Sequence, residues 1–377
     1  MWQGAKVVDA GSMLTSMTGK TRTTKPKPAV PLTSAEIASF RKKLGSWYSR
    51  HARDLPWRGG VEPYRTWVSE IMLQQTRVAA VLEHYFRFLE LFPTIFALAL
   101  AEEDAVLAAW SGLGYYRRAR LLHRAAKSLV KEHNGEIPHT AVELRRLPGI
   151  GDYTAAAIAS IAFAEQVAVV DGNVERVLLR VTGRAEDKST ASRVLSVTTA
   201  QALVPKRQPG DHNQAMMELG ATVCLPKGPL CTVCPVYELC LTRGEHTTGP
   251  RQKMLSSVVY YGLIQRHHRE ADQVLLQKRH SSESLMPDMW ELPTLEGPPE
   301  GLQPALRVRH SITNTNYYVE IYKVDAASPL LQNRTLGLTW KQDDMLQSLA
   351  LTGLARKVLE RSGVLDPAIK IAALAAE

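Results

Sequence analysis

All four cysteines of the chain fall within residues 224–240, CLPKGPLCTVCPVYELC, with the spacing C-x6-C-x2-C-x5-C. In 377 residues that use cysteine nowhere else, this cluster obliges one loop to close on a common centre. A secreted disulfide framework spreads its cysteines more widely. A single cluster indicates a metal site in an intracellular, reducing compartment: cytoplasm, or nucleoid if the source is bacterial. Four thiolates hold one [4Fe–4S] cluster or one zinc ion. Structural zinc sites more often show two paired C-x2-C knuckles, so the uneven spacing favours iron–sulfur. Cys224, Cys231, Cys234 and Cys240 are therefore expected to ligate a [4Fe–4S] cluster. Lys227 and Arg243 beside them offer positive charge to a polyanion, or simply belong to a solvated loop.

The rest of the chain divides by texture. Residues 1–31 are basic and rich in Lys, Thr, Gly and Pro, and read as a flexible tail. Thr33 and Glu36 then fit a capping box, and Ile37, Phe40, Leu44 and Trp47 share one helical face. Helical periodicity dominates from there to residue 243, for example over 66–75, 79–91, 103–110, 116–133, 141–146, 153–163 and 173–181. A linker at 244–254 leads to β-branched and aromatic runs, SSVVYYGLI, QVLLQKR and YYVEIYKV, which read as strands. The stretch 334–363 is expected to supply one or two helices. The fold class expected is a mainly α N-terminal region, 32–243, followed by a smaller α+β domain, 255–362, and a C-terminal tail, 363–377. No apolar run is long enough for a membrane-spanning helix.

A formal net charge of +9 favours polyanions, with nucleic acid first among candidates. ELRRLPGIGDYTAAAIASIAF supplies a mode of binding at about 144–163. Glycines let the backbone turn sharply and approach a ligand, and the free N–H groups of the following helix face an anion. This is a helix–hairpin–helix pattern, suited to phosphate rather than to base sequence. Leu147, Gly149, Ile150 and Gly151 are the expected DNA contacts; the plainer alternative is a helical hairpin with a glycine cap. Twenty residues after Gly151, the run QVAVVDGNVERV places Asp171 at the mouth of a helix. On its own it reads as an N-cap.

Taken together, these motifs resemble the endonuclease III superfamily of DNA glycosylases. DLPWR, WVSEIMLQQTRV, WSGLGYYRRAR and NQAMMELGATVC are similar, more narrowly, to its MutY-type adenine DNA glycosylases, over about residues 35–245. The resemblance implies a monofunctional enzyme that hydrolyses the N-glycosidic bond of adenine mispaired with 8-oxoguanine or guanine. Its partner would be double-stranded DNA, and it would act as a monomer. It also implies a Nudix-like C-terminal domain.

That chemistry calls for an acid to protonate the leaving purine and a carboxylate beside the oxocarbenium-like sugar. Glu70, flanked by Trp67, Val68, Ile71 and Leu73, fits the acid; the bland alternative is a surface glutamate. Asp171 fits the carboxylate, acting electrostatically or through a transient adduct, with Asn173 to orient it. Related bifunctional enzymes carry a lysine where this chain has Tyr153, and residues 132–187 contain none, so no Schiff base arises from this segment. Tyr153 is expected to hydrogen-bond the carboxylates. By resemblance, Arg53, Leu55, Trp57, Arg58 and Gln214 look like the adenine pocket, although Trp57 is equally a core residue. Gln75 and Tyr115 look like wedges in the duplex, and Gln74 and Thr76 like contacts to the opposite strand. Arg117, Arg118 and Arg120 are candidate phosphate contacts.

LMPDMWELP resembles the W-E-x-P segment of Nudix-like folds, but the acidic R-E-x-x-E-E helix is missing, so no pyrophosphatase chemistry is expected. Where family members often carry Phe-Ser-His to read the lesion, this chain has Ile312, Thr313 and Asn314. Competing readings are an endonuclease III-like enzyme for oxidised pyrimidines, a non-catalytic DNA-binding protein and a nucleotide-cleaning hydrolase. The first is opposed by Tyr153, the second by the retained Glu70 and Asp171, and the third by the missing acidic helix.

Overall fold

A computed structural model describes residues 32–366 apart from 59, 61, 188, 247–252, 284, 313, 327 and 329–336. The basic tail, most of the expected linker, Thr313 and the last residues of the C-terminal tail lie outside the described residues.

The first helix, α1 (Ser34–His51), starts at the expected capping box. Glu36 N–H donates to Thr33 Oγ1 at 3.3 Å, and Thr33 N–H donates to Glu36 Oε2 at 2.7 Å. There follow α2 (Pro63–Leu73), α3 (Val78–Leu91), α4 (Ile95–Leu100), α5 (Glu103–Ala109), α6 (Arg117–His133), α7 (Ala141–Leu144), α8 (Asp152–Ala162), α9 (Gly172–Val181), α10 (Thr190–Leu203) and α11 (Pro209–Thr222). Each helix named from periodicity is present within about a turn. Helices α4 and α10 were not among them, and α11 was noticed only as a motif. The short α4 shows less than two turns of pattern, which is too little for periodicity to register.

These helices build two cores. Trp67, Tyr85, Phe88, Trp110, Leu122 and Ile158 belong to one, from the middle of the chain. The other joins Phe40, Leu44 and Trp47 of α1 to Val174, Val177 and Leu178 of α9 and to Leu219 of α11. The chain therefore returns to its own beginning, which brings the segment after residue 166 against the middle helices. Gly220 makes that closure tight. A Cβ there would lie 2.7 Å from Asn173 Cβ, so only glycine lets α11 approach the start of α9 this closely.

The C-terminal region contains β1 (Leu255–Leu263), β2 (Gln265–His268), β3 (Ala271–Lys278), β4 (Trp290–Glu291), β5 (Thr294–Leu295), β6 (Leu306–Ile312), β7 (Thr315–Lys323), β8 (Leu338–Gln342) and α12 (Gly353–Arg361). One sheet has the order β5-β1-β7-β6, with β1 and β7 parallel; in the other, β3 pairs with β2, β4 and β8. Leu354, Ala355, Val358 and Leu359 of α12 pack on Leu263, Leu276, Val319 and Ile321. The helical expectation for 334–363 is corrected in its first part. Residues 338–342 pair with β3 and place Leu338 and Trp340 against the apolar cluster around Leu275 and Tyr322. Period-2 alternation over so short a run was overshadowed by the longer helical pattern behind it.

The two regions touch. Ser111 Oγ and Tyr116 Oη each donate to Leu351 O at 3.3 Å, Arg356 Nε donates to Ser111 Oγ at 2.8 Å, and Met289 and Ala350 complete the helical core. No helix among the described residues is long and apolar enough to cross a membrane.

Candidate active site

Glu70 lies in the middle of α2, on a turn whose neighbours Trp67, Val68, Ile71 and Met72 are all core residues. It is only 5% exposed. Loss of water disfavours the charged carboxylate, and this burial is the main reason its pKa rises to about 7. Tyr153 Oη donates to Glu70 Oε2 at 2.6 Å and pulls in the opposite direction, while negative charge on Asp171 pushes the pKa up and Arg58 draws it down. The bland alternative of a surface glutamate is excluded by the burial. Tyr153 engages Oε2, so Oε1 is the oxygen left to carry a proton.

Asp171 is the N-cap of α9. Its Oδ1 accepts from Val174 N–H at 2.7 Å and its Oδ2 from Asn173 Nδ2 at 3.1 Å. Asn173 is itself held, since its Oδ1 accepts from Arg176 Nη2 at 2.9 Å. The carboxylate is thus a cap whose charge both Glu70 and Tyr153 feel. Tyr153 sits between the two acids; burial pushes its hydroxyl well above the usual phenol range, so it stays a donor. Glu70, Tyr153, Asp171 and Asn173 are brought together from α2, α8 and α9.

Beyond these four lies a carboxylate that the sequence reading passed over. Glu218 of α11 is fully buried and receives Arg53 Nε at 2.6 Å, Arg53 Nη2 at 2.8 Å and Arg58 Nη2 at 2.8 Å. Both arginines of RDLPWR are therefore held by one acid, and Arg58 reaches far enough to influence Glu70. An acid in an otherwise apolar stretch, MMELGA, was the available signal: a buried carboxylate needs cationic partners. Gln214 Oε1 accepts from Tyr48 Oη at 3.2 Å, and the Arg58 guanidinium lies 5.5 Å from the Tyr48 ring centroid. Leu55 and Trp57 are core residues, with the Trp57 ring edge-on to Tyr85 at 5.3 Å.

The glycine hairpin keeps its shape through close packing. Gly149 has φ +78°, and a Cβ there would lie 2.5 Å from Leu121 Cβ. Leu147 and Ile150 turn their side chains into the core, so contacts from these two are left to the backbone. No side chain caps α8 at Gly151, which leaves its first N–H groups for an anion. Gln75 and Tyr115 are both exposed, on left-handed backbone at φ +56° and +48°. Gln74 Nε2 donates to Thr154 Oγ1 at 2.9 Å. Two of the candidate phosphate contacts need correction. Arg118 Nη2 donates to Thr76 Oγ1 at 2.9 Å, and both terminal nitrogens of its guanidinium are engaged by backbone carbonyls, while Nε is buried without a partner. Arg120 pairs with Glu103 at 2.8 Å and donates to Pro287 O at 2.7 Å, bridging the two regions. Arg117 is exposed.

All four cysteines are free thiols, and Cys224, Cys234 and Cys240 pack against the core of α1, α9 and α11. Among the described residues no group of three or more metal-ligating side chains is drawn tight enough to hold an ion as it stands. The donor set nevertheless suits an anionic cluster. Arg180 Nη1 lies 3.4 Å from Cys224 Sγ, and Arg243 N–H donates to Cys240 Sγ at 3.4 Å. Lys227 lies on the exposed side of the loop.

A cleft of about 760 Å³ runs between the two regions, lined by Leu113, Tyr115, Arg117, His310, Ser311 and Ile312 among others. Glu70, Tyr153 and Asp171 do not line it, so this cleft and the two acids are separate features. Ile312 ends β6 and pairs with Thr315 at the start of β7, which places Asn314 at the hairpin.

A helical fold whose buried Glu70 is bonded by Tyr153, from the helix that follows a glycine hairpin, has relatives. Residues 68–198 match the model of the HhH-GPD superfamily base excision DNA repair protein. A solved structure described as a thermostable thymine-DNA glycosylase superposes with a TM-score of 0.52 at 26% identity, covering 55% of this chain and 97% of that one. The helical region is of the helix–hairpin–helix, HhH-GPD class. Within that class its sequence is similar to the MutY type. It is 49% identical over 216 residues to the adenine DNA glycosylase of Rattus norvegicus and 49% identical over 221 residues to that of Homo sapiens. These matches cover 55% of this chain but 42% and 40% of those proteins, so the chain spans about two-fifths of their length.

Proposed function

We propose that the protein is a monofunctional DNA glycosylase of base excision repair, which hydrolyses the N-glycosidic bond of adenine mispaired with 8-oxoguanine or guanine. The observation that carries this reading is the convergence of a buried, proton-retaining Glu70 and a capped Asp171 on Tyr153.

A duplex hides the bond, so the adenine must first leave the stack. Gln75 and Tyr115, exposed on their turns, enter the gap, and the uncapped start of α8 holds a backbone phosphate. The flipped base meets Glu70, with Arg53, Arg58 and Gln214 along the pocket. Glu70 delivers the Oε1 proton to adenine N7. The N-glycosidic electron pair then withdraws into a neutral purine, and positive charge develops on the sugar. Asp171 faces that charge, held in one orientation by Val174 N–H and Asn173. Water completes the substitution. Tyr153 has no amine with which to form a Schiff base, which supports base release without strand cleavage.

Cys224, Cys231, Cys234 and Cys240 would hold a [4Fe–4S] cluster, whose bonds, when it is bound, would fix the 224–240 loop against α9 and α11. Four cysteines gathered in one loop, with none elsewhere in the chain, support an intracellular, reducing compartment. We assign the sheet region, about 255–362, to a Nudix-like domain that reads the lesion strand with Ile312, Thr313 and Asn314. The interdomain cleft, which joins Tyr115 to Ile312, supports that placement.

Single-turnover base release tests the whole reading. Adenine should leave A:8-oxoguanine and A:G duplexes, while an oxidised pyrimidine opposite guanine should stay. Release should weaken as pH rises through about 7, because Glu70 then loses the proton it donates. Release of the pyrimidine instead, or abundant borohydride-trapped adduct, would falsify the assignment.

A further inference from the structure

Both terminal nitrogens of the Arg118 guanidinium are taken by partners within the protein, and its Nε is buried without one, so none is offered to a phosphate. Its Nη1 donates to the carbonyls of Ile71 at 2.8 Å, Met72 at 2.9 Å and Gln74. Its Nη2 donates to Thr76 Oγ1 at 2.9 Å, Leu113 O at 3.3 Å and Gly114 O at 3.2 Å. Those acceptors belong to two turns far apart in sequence. One ends α2 and carries Gln75; the other precedes α6 and carries Tyr115. Both residues stand on left-handed backbone, which an L side chain adopts at a cost and keeps only where surrounding bonds enforce it. The guanidinium supplies those bonds on both sides. It also lies 5.4 Å from the Tyr115 ring centroid and 5.5 Å from that of Trp110.

From this arrangement we infer that Arg118 is a positioning residue, a clamp that sets the spacing of Gln75 and Tyr115 and so the extrusion of the target base. The inference rests on the glycosylase reading above. Its logic is geometric. The free carbonyls at the end of α2 converge with those of the 113–114 turn on one point, and a planar fork with several N–H groups can serve both sets at once. Glu70 lies one turn before Gln74 on the same helix, so the clamp also fixes the acid relative to the wedges. A lysine would keep the charge but not the fork, and it could not stack on the two rings. Burial lowers the Arg118 pKa to about 10, which still leaves it charged at neutral pH.

The test compares the full-length wild type with Arg118→Lys and Arg118→Ala on two substrates. In one, adenine pairs with guanine inside a stable duplex. In the other, it faces an abasic site, where little opening work is needed. Misplaced wedges should slow base release from the paired substrate by about 10²-fold, with much less effect opposite the abasic site. A 2-aminopurine at the target position should show the matching loss of extrusion fluorescence. Guanidinium ion added to Arg118→Ala should restore part of the rate, whereas ammonium should not. Equal slowing on both substrates, or Arg118→Lys opening the base as the wild type does, would overturn the clamp. Absence of base release by the wild type itself would instead sink the glycosylase reading. Circular dichroism and Tm establish that each variant is folded before it is compared.

Discussion

Glu70 and Ile312 mark two regions with opposite relations to water. Glu70 is 5% exposed, with an apolar shell on α2 and a phenol bonded to it. Ile312 closes a strand at the rim of a cleft, half-buried, between exposed Ser311 and Asn314. The contrast follows from what each place is proposed to do. Holding a carboxyl proton near neutral pH requires removing water, and only a packed core does that. Reading the face of a base requires that a surface stay open until the base arrives. The helical region therefore carries its chemistry preassembled, and the sheet region offers an edge.

The sharpest way to break this comparison is Glu70→Gln. It keeps an oxygen to accept from Tyr153 but has no proton to give, so base release should fall by about 10²–10⁴-fold. The same variant tests the burial argument through stability. The pKa of Glu70 lies at about 7 when folded against 4.5 for the free group, so the folded chain holds the proton more tightly. That contribution is complete below pH 4.5 and lost as pH rises to about 7. Glu70→Gln should accordingly raise Tm more at pH 8 than at pH 5; an equal change at both would contradict it.

Asp171→Asn comes next, with an expected loss of about 10²–10³-fold in single-turnover rate. Asparagine caps helices as well as aspartate does, so Tm should scarcely move. A near wild-type rate would mean that the cap, and not the charge, is what position 171 supplies. Gly220→Ala should be milder. The new Cβ has Asn173 2.7 Å away, so α9 must shift, at about 1–3 kcal/mol in urea unfolding. Ile312→Ala should do least. Adenine release from A:G should change by no more than about twofold, as expected for an edge position away from the core. A shift in the preference between A:8-oxoguanine and A:G would sharpen the division of labour, whereas a collapse of release from both would erase it.

Much of the helical region was legible in the sequence because its signals are local. The capping box at Thr33, the periodic helices and the left-handed turn at Gly149 are each decided by a handful of consecutive residues. Glu70 and Asp171 were legible as candidates because a carboxylate inside an apolar stretch, or at a helix mouth, is conspicuous. Strand β8 was misread for the converse reason: its alternation means little until β3 lies beside it. Glu218 went unnoticed because its partners, Arg53 and Arg58, lie more than 150 residues away. Arg118 was taken for a phosphate contact because a row of arginines looks alike until each acceptor is in place.

The sequence by itself determined the cysteine cluster, the helix starts, the hairpin turn and the missing lysine at Tyr153. All of these are fixed by chain-local geometry or by residue identity. Only the tertiary structure decided which carboxylate loses its water, which arginines meet Glu218, and which arginine ties Gln75 to Tyr115. Solvation and ion pairing depend on what surrounds a group in space, and for these groups the surroundings come from segments far apart in the chain.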